Sequence, residues 1–188
     1  MKTIVFFLEE PSAREMLVGL LPKILPDGVQ SRFLVFQGKQ DLEKNLVAKM
    51  RGWQLPESVF VVMRDQDAGD CGIIKLRLCE LCRKADRSNV IVRVACREME
   101  SFYLGDLDAV EKGLSLTGLA KLQNNKKFRT PDNLGTPSAE LERMTRGLYQ
   151  KVSGSRAIGR HLSLENNRSH SFKVLVDGIR RLANVGGI

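Results

Sequence analysis

The sequence predicts an α/β domain built on a mostly parallel four-stranded sheet, and three observations lead there. Continuous apolar runs containing β-branched residues recur at Thr3–Leu8 and at residues 32–36, 58–63 and Val90–Ala95, the pattern of strands covered on both faces. Stretches with helical spacing of apolar residues lie between these runs. Strands and helices alternating at these lengths imply right-handed βαβ crossovers.

The opening MKTIVFFLEE is briefly like a signal peptide, but two glutamates end its apolar stretch and no small-residue cleavage site follows. It reads as a first buried strand. Ser12 then stands where a helix N-cap would be, with Glu15 three residues on as its capping-box partner. That helix runs through Met16, Leu17, Leu20 and Leu21 and stops near Pro22 or Pro26. After the second strand, residues 41–52 form an amphipathic helix with Leu42, Leu46 and Met50 on one face. The third strand runs directly into Arg64-Asp65-Gln66-Asp67, and residues 70–85 return to helical periodicity through Ile73, Ile74, Leu76, Leu78 and Leu81. The fourth strand leads into a helix over residues 97–104.

From about Gly105 the alternation stops. Short helices, a Lys/Asn/Gly/Pro-rich stretch over residues 123–137, a helix over 138–148, the stretch QKVSGSRAIGRHL and a final helix over 171–182 follow. The expected division is an α/β core over residues 1–112 and a basic, mainly helical extension over 113–188. The residues alone leave two arrangements for the extension, wrapped on the core or forming a small lobe; the expectation adopted is that it packs on the core.

A chain of 188 residues with 43% hydrophobic and 28% charged residues is long enough to bury a core without disulfides or a structural metal. No apolar run approaches the roughly 18 residues that span a bilayer, so the chain is expected to be cytoplasmic and free of the membrane. Cys79 and Cys82 have CxxC spacing, but no second ligand pair follows, and with Cys71 and Cys96 they read as small buried thiols in a reducing compartment. Only His161 and His170 represent histidine, which leaves a histidine-centred metal site or triad without support. The net charge of +8 is unevenly placed: residues 1–120 carry 17 Lys/Arg and 17 Asp/Glu, whereas residues 121–188 carry 13 and 5. A neutral core with a basic C-terminal third suggests an anionic partner, nucleic acid first, against the plainer reading of a solvated basic surface.

In open parallel sheets ligands bind beyond the carboxyl ends of the strands, and acids gather at that edge here. Glu9 and Glu10 follow the first strand, Asp65 and Asp67 the third with Asp70 nearby, and Glu98 and Glu100 the fourth. Gathered like charges repel unless a cation neutralises them, and oxygen-rich clusters select Mg²⁺ or Mn²⁺. Asp65 and Asp67 are two apart, so in an extended segment both face one side and share one ion. Several of these acids have a structural reading as well. One of Glu9 and Glu10 suits a helix N-terminus, Asp70 suits the N-cap of a helix beginning at Cys71, and Glu98 and Glu100 suit a first helical turn.

The stretches LEEPSARE, FQGKQDLEK, RDQDAGDC, ACREMESFYLGD, KFRTPD and YQKVSGSRAIGRHL resemble, in order and over nearly the whole chain, a small bacterial Toprim-like family known as domain of unknown function 4276. A glutamate closing the first strand and an Asp-x-Asp closing a later one are similar to the Toprim domains of topoisomerases, primases and overcoming-lysogenization-defect (OLD) nucleases. The resemblance implies a Toprim-like, Rossmannoid core and metal-dependent phosphodiester hydrolysis of DNA or RNA. It implies Glu9, or alternatively Glu10, at the first acidic position and Asp65 and Asp67 at the Asp-x-Asp. It also implies an effector role beside an ATPase partner in antiviral defence, and pairing into a homodimer. The usual glycine after the first glutamate is Glu10 here, which leaves substrate placement and the choice between the two glutamates open.

The expected mechanism uses Mg²⁺ (or Mn²⁺) held by Glu9, Asp65 and Asp67 to polarise the phosphate and activate water. Glu98 or Glu100 holds a second ion or orients the nucleophile, and Asp70 is an outer or third ligand. Lys151 stabilises charge on the scissile phosphate, while Lys126, Lys127, Arg129, Arg156 and Arg160 track the nucleic-acid backbone. The competing expectations are a non-catalytic adaptor that binds nucleic acid or an ATPase, and a phosphoryl-transfer domain.

Overall fold

Residues 1–184 are described in the computed structural model. Thr3–Leu8 forms β1, buried at every position, and Ser58–Asp65 forms β3. These two pair at the centre, with β2 (Gln30–Val35) beside β1 and β4 (Val90–Ala95) beside β3. The order is β2-β1-β3-β4 and every pairing is parallel. β3 reaches two residues further than its apolar run predicts, because Arg64 and Asp65 stay in register with Val94 and Ala95. β2 lies two residues earlier than expected at its start and one at its end, as suits an edge strand whose half-exposed side chains give a weaker signal.

Successive residues of the central strands face opposite layers. Ile4, Phe6 and Leu8 with Val59, Val61 and Met63 pack in one core, beneath α1 (Pro11–Leu20), α4 (Glu100–Leu104), α5 (Leu107–Gly113), α7 (Lys151–Gly159) and α8 (His170–Asn184). Val5, Phe7, Phe60 and Val62 pack in the other, beneath α2 (Lys39–Arg51) and α3 (Cys71–Lys84). The remaining helix, α6 (Pro137–Met144), contacts α4. Of the four cysteines expected to be buried only Cys82 is, Cys71, Cys79 and Cys96 being partly exposed. Among the described residues no helix is long and apolar enough to cross a membrane.

The expected capping box on α1 does not form. Glu10 is the N-cap and Pro11 the first helical residue, so the Ser12 hydroxyl lies inside the helix and donates to Glu10 Oε1. Glu15 is buried and is held by Arg14 and Arg156 instead.

α7 matters most for the site, since it begins with Lys151. It crosses α1 at glycine contacts: a Cβ on Gly159 would lie 2.5 Å from Met16 O, and one on Gly19 would lie 2.6 Å from the Arg160 backbone nitrogen. Backbone on both sides leaves no side-chain end to yield. Gly159→Ala is therefore expected to destabilise the protein by about 1–3 kcal/mol through overpacking, despite alanine's better helix propensity. Urea denaturation measures this, and an unchanged or raised midpoint would show that the helices separate freely.

Candidate active site

β1 is followed by a crossover to one side of the sheet and β3 by a crossover to the other, so the point where the connections diverge lies between these strands. Glu9 and Glu10 leave the carboxyl end of β1 there, and Asp65 closes β3. The structure divides the edge acids into two groups.

The inner group is Glu10, Asp65 and Glu100, with Lys151. Glu10 Oε2 pairs with Lys151 Nζ at 3.2 Å. Glu100 is fully buried at the first turn of α4; one carboxylate oxygen accepts from the Tyr149 hydroxyl at 2.9 Å and the other, Oε2, has no hydrogen-bond partner. The buried Tyr103 hydroxyl, nearby, is likewise unpartnered. Asp65 is raised well above the ordinary carboxylate value by burial and then by repulsion from Glu10, Glu100 and Glu9, against a hydrogen bond from the Met99 backbone. Burial also raises Glu100, although Lys151 and Tyr149 act in the other direction. Partial burial acts to lower Lys151, but Glu100, Glu10 and Asp65 outweigh it and hold the ammonium above its usual value.

The outer group is Glu9, Asp67 and Glu43, gathered around Arg64. Arg64 is only 6% exposed, and its guanidinium reaches Glu43 at 2.8 Å, Asp67 at 3.7 Å and Glu9 at 3.9 Å. Glu9 Oε2 also accepts from the Asp65 backbone N–H at 3.0 Å. Burial raises Glu9 overall, with that hydrogen bond and Arg64 opposing it. Asp67 is further tied to Lys39 at 2.7 Å, and Glu43 to Arg77 at 2.8 Å.

The expectation that Asp65 and Asp67 face one side of an extended segment does not hold. β3 ends at Asp65, and Asp67 takes a left-handed conformation with φ of 55°, stapled by its N–H to Arg97 O at 2.7 Å. A cleft of about 210 Å³ opens beside this turn, lined by Asp67, Ala68, Arg97, Glu98 and Gly135. Asp70 is the N-cap of α3, its Oδ1 accepting from Ile73 N–H at 2.9 Å. Glu98 accepts from the Ser138 backbone at 2.7 Å and so anchors α6. Among the described residues no group of three or more His, Cys, Asp or Glu side chains is placed to hold a metal ion.

Two of the five basic residues are engaged in ion pairs and three are exposed. Arg156 is bonded to Glu15 at 2.6 Å and Lys127 to Glu140 at 2.5 Å, while Lys126, Arg129 and Arg160 are exposed. Arg64 and Tyr149, with Glu43, Lys39 and Arg77 of the outer group, are residues that sequence reasoning missed. A lone arginine at the end of an otherwise apolar buried strand was the available signal for Arg64; Tyr149 had none beyond standing two residues before Lys151.

Carboxylate oxygens, one of them buried and unpartnered, are the donor type that a hard divalent cation takes, but as placed here no three of them converge on one ion. The raised acids make their crowding testable without a substrate. Where the folded protein holds a carboxyl above its unfolded value, folded chains bind more protons, and stability falls as pH rises from about 4 through the raised value. Asp65→Asn removes that penalty, so the metal-free variant should be more stable than the wild type at pH 8, with the difference shrinking toward pH 4. Thermal denaturation across that range, in a chelator, reads it; a difference independent of pH would contradict the crowded-carboxylate account.

The family described as "Domain of unknown function (DUF4276)" matches residues 8–180. No curated protein matches. Among solved structures the C-terminal region of the Burkholderia pseudomallei OLD protein is similar, with a TM-score of 0.56, 16% identity, and coverage of 96% of this chain and 98% of that one. The Toprim-like fold expected from the resemblance is therefore the fold observed.

Proposed function

We propose that this chain, which belongs to the DUF4276 family, is a divalent-cation-dependent nuclease that hydrolyses phosphodiesters at the carboxyl edge of β1 and β3. The observation that carries the reading is the inner group: three carboxylates, one with a buried unpartnered oxygen, facing a lysine at the divergence point of a Toprim-like sheet. Glu10 rather than Glu9 is the glutamate of that group, because Glu9 is turned to Arg64 and the Asp65 backbone.

In this reading Glu10, Asp65 and Glu100 would supply the carboxylates that hold Mg²⁺ or Mn²⁺, drawing together as the ion binds. When bound, the cation supplies a Lewis acid for the phosphate and eases deprotonation of water. The Tyr149 hydroxyl fixes the rotamer of Glu100 and leaves Oε2 for the ligand. Lys151, half-exposed beside Glu10, remains cationic and meets the charge that develops on the phosphate oxygens. Lys126, Arg129 and Arg160 attract the nucleic-acid backbone as exposed point and fork charges. Carried over from the resemblance, the wider role is the effector subunit of an ATPase-associated antiviral system, which cleavage only in a co-purified ATPase complex would support.

The test is cleavage of mixed plasmid DNA and tRNA in Mg²⁺, Mn²⁺ or EDTA, alone and with co-purifying partners. Cation-dependent cutting is expected, and Lys151→Met should lower it about 10²–10³-fold, the usual loss for one stabiliser of transition-state charge. Absence of cutting in every condition would contradict the reading. Binding in Ca²⁺ should also weaken steeply between about 50 and 200 mM salt; a flat response would remove the basic residues from the substrate path. The adaptor reading is favoured by Ile73 and Leu76, both exposed and one turn apart on α3, as a docking face would be.

A further inference from the structure

A cleft of about 340 Å³ opens between α6 and two short 3₁₀ turns, Ala120–Asn124 and Lys126–Phe128. Its walls are apolar: Leu122 and Met144 are partly buried, and Phe128 is 4% exposed. Its mouth is cationic, carrying Lys127, Arg143 and Arg146. Glu140 pairs with Lys127 at 2.5 Å and with Arg143 at 2.6 Å. Arg146 and the adjacent Lys126 and Arg129 are exposed and, among the described residues, make no ion pair. A basic surface that is merely solvated needs no apolar hollow at its centre. An apolar hollow ringed by cations matches a ligand with an apolar, polarisable face and negative charge on either side of it, which describes a nucleotide strand whose bases are unstacked.

Resting on the nuclease reading above, we infer that this cleft receives one unstacked base of a single-stranded nucleic acid, while Lys126, Arg129 and Arg146 hold the flanking phosphates, so that the protein prefers single strands to duplex. A base in a duplex is paired and stacked and enters such a cleft only if it is flipped out, at a cost. Charge alone works the other way, because the duplex has the denser row of phosphates. α6 joins the cleft to the carboxyl edge. Its first turn is fixed to Glu98 through the Ser138 backbone at 2.7 Å. Just beyond its other end, the Thr145 hydroxyl accepts from the Tyr149 N–H at 3.2 Å, and the Tyr149 hydroxyl holds Glu100 at 2.9 Å. A strand anchored by one base at α6 therefore has its neighbouring phosphates directed toward the edge where Glu10 and Lys151 meet.

Fluorescence anisotropy of the full chain in EDTA, where binding is read without cleavage, tests this with three labelled probes. They are a DNA strand of about 12 nucleotides, the duplex of the same sequence, and an abasic strand of the same length and charge. The wild type is expected to bind the base-bearing strand at least ~5-fold more tightly than the abasic strand, the lower end of what one seated base contributes, and more tightly than the duplex. Met144→Lys, at a partly exposed position, adds a cation while filling the hollow. It is expected to bind the abasic strand as well as the wild type or better, yet to lose the preference for bases. Equal affinity of the wild type for base-bearing and abasic strands, tighter binding of the duplex, or a preference that survives in Met144→Lys would overturn the inference while leaving cleavage at the carboxyl edge to its own assay. The expected preference in a protein that cuts nothing would uphold the cleft and sink the nuclease reading alone.

Discussion

Asp65→Asn is expected to abolish cleavage, by about 10³-fold or more, while leaving the protein folded and, without metal, more stable. Neutral asparagine removes a ligand charge from the inner group, where the interactions stabilising phosphoryl transfer are concentrated. It also removes the repulsion from Glu10, Glu100 and Glu9 that burial intensifies at this position. Opposite signs for activity and stability are what a functional carboxylate produces, because its ionisation is unfavourable until the ligand arrives. Turnover assays paired with denaturation curves separate this from a structural role, in which both would fall together. A variant that keeps most of its turnover would remove Asp65 from the chemistry.

Arg64→Ala should lower stability by about 3–5 kcal/mol, the range for breaking a buried ion pair and leaving its partners uncompensated. Arg64 is 6% exposed and joins β3 to α2 through Glu43 and to the carboxyl edge through Glu9, Asp67 and the Asp65 carbonyl. Alanine leaves Glu9 and Glu43 partly buried with less cation to face, although Glu43 keeps Arg77 and Asp67 keeps Lys39. Urea denaturation measures the loss. A change below about 1 kcal/mol, typical of a solvent-screened surface pair, would show that the edge does not depend on this guanidinium.

What the sequence made legible follows from the range of the forces involved. β1 and β3 announce themselves because central, covered strands must be apolar at nearly every position, and β4, though at an edge, is apolar everywhere but Arg93. The inward face of α2 is legible from Leu42, Leu46 and Met50, which return at helical spacing, whereas on α3 only Leu78 of the five expected residues is fully buried and Ile73 and Leu76 face outward. α7 was harder to read: KVSGSRAIG holds two glycines and two serines, weak helix formers, and it is the close contact of Gly159 and Gly19 across α1 that makes them useful. Ser12 and Glu15 had capping-box spacing, but Pro11 moved the helix start and Arg156, 141 residues away, claimed the glutamate.

The same limit applies to the site. That acids crowd one edge of the sheet follows from where each strand ends, and this was readable. How they divide depends on which cation each carboxylate meets across the fold: Glu10 meets Lys151, and Asp67 meets Lys39. Such pairings join residues far apart in the chain, and no local spacing encodes them. Glu9 and Glu10 are neighbours in sequence, yet the former packs against β3 and Arg64 while the latter caps α1 and faces α7.

The most direct test of the central claim is cleavage of DNA and tRNA by the wild type and Asp65→Asn, each in Mg²⁺, in Mn²⁺ and in EDTA, with and without a co-purified partner. The account predicts cutting that requires the cation and disappears in Asp65→Asn. Cutting that persists in EDTA or in Asp65→Asn, or no cutting by the wild type under any of these conditions, would contradict it.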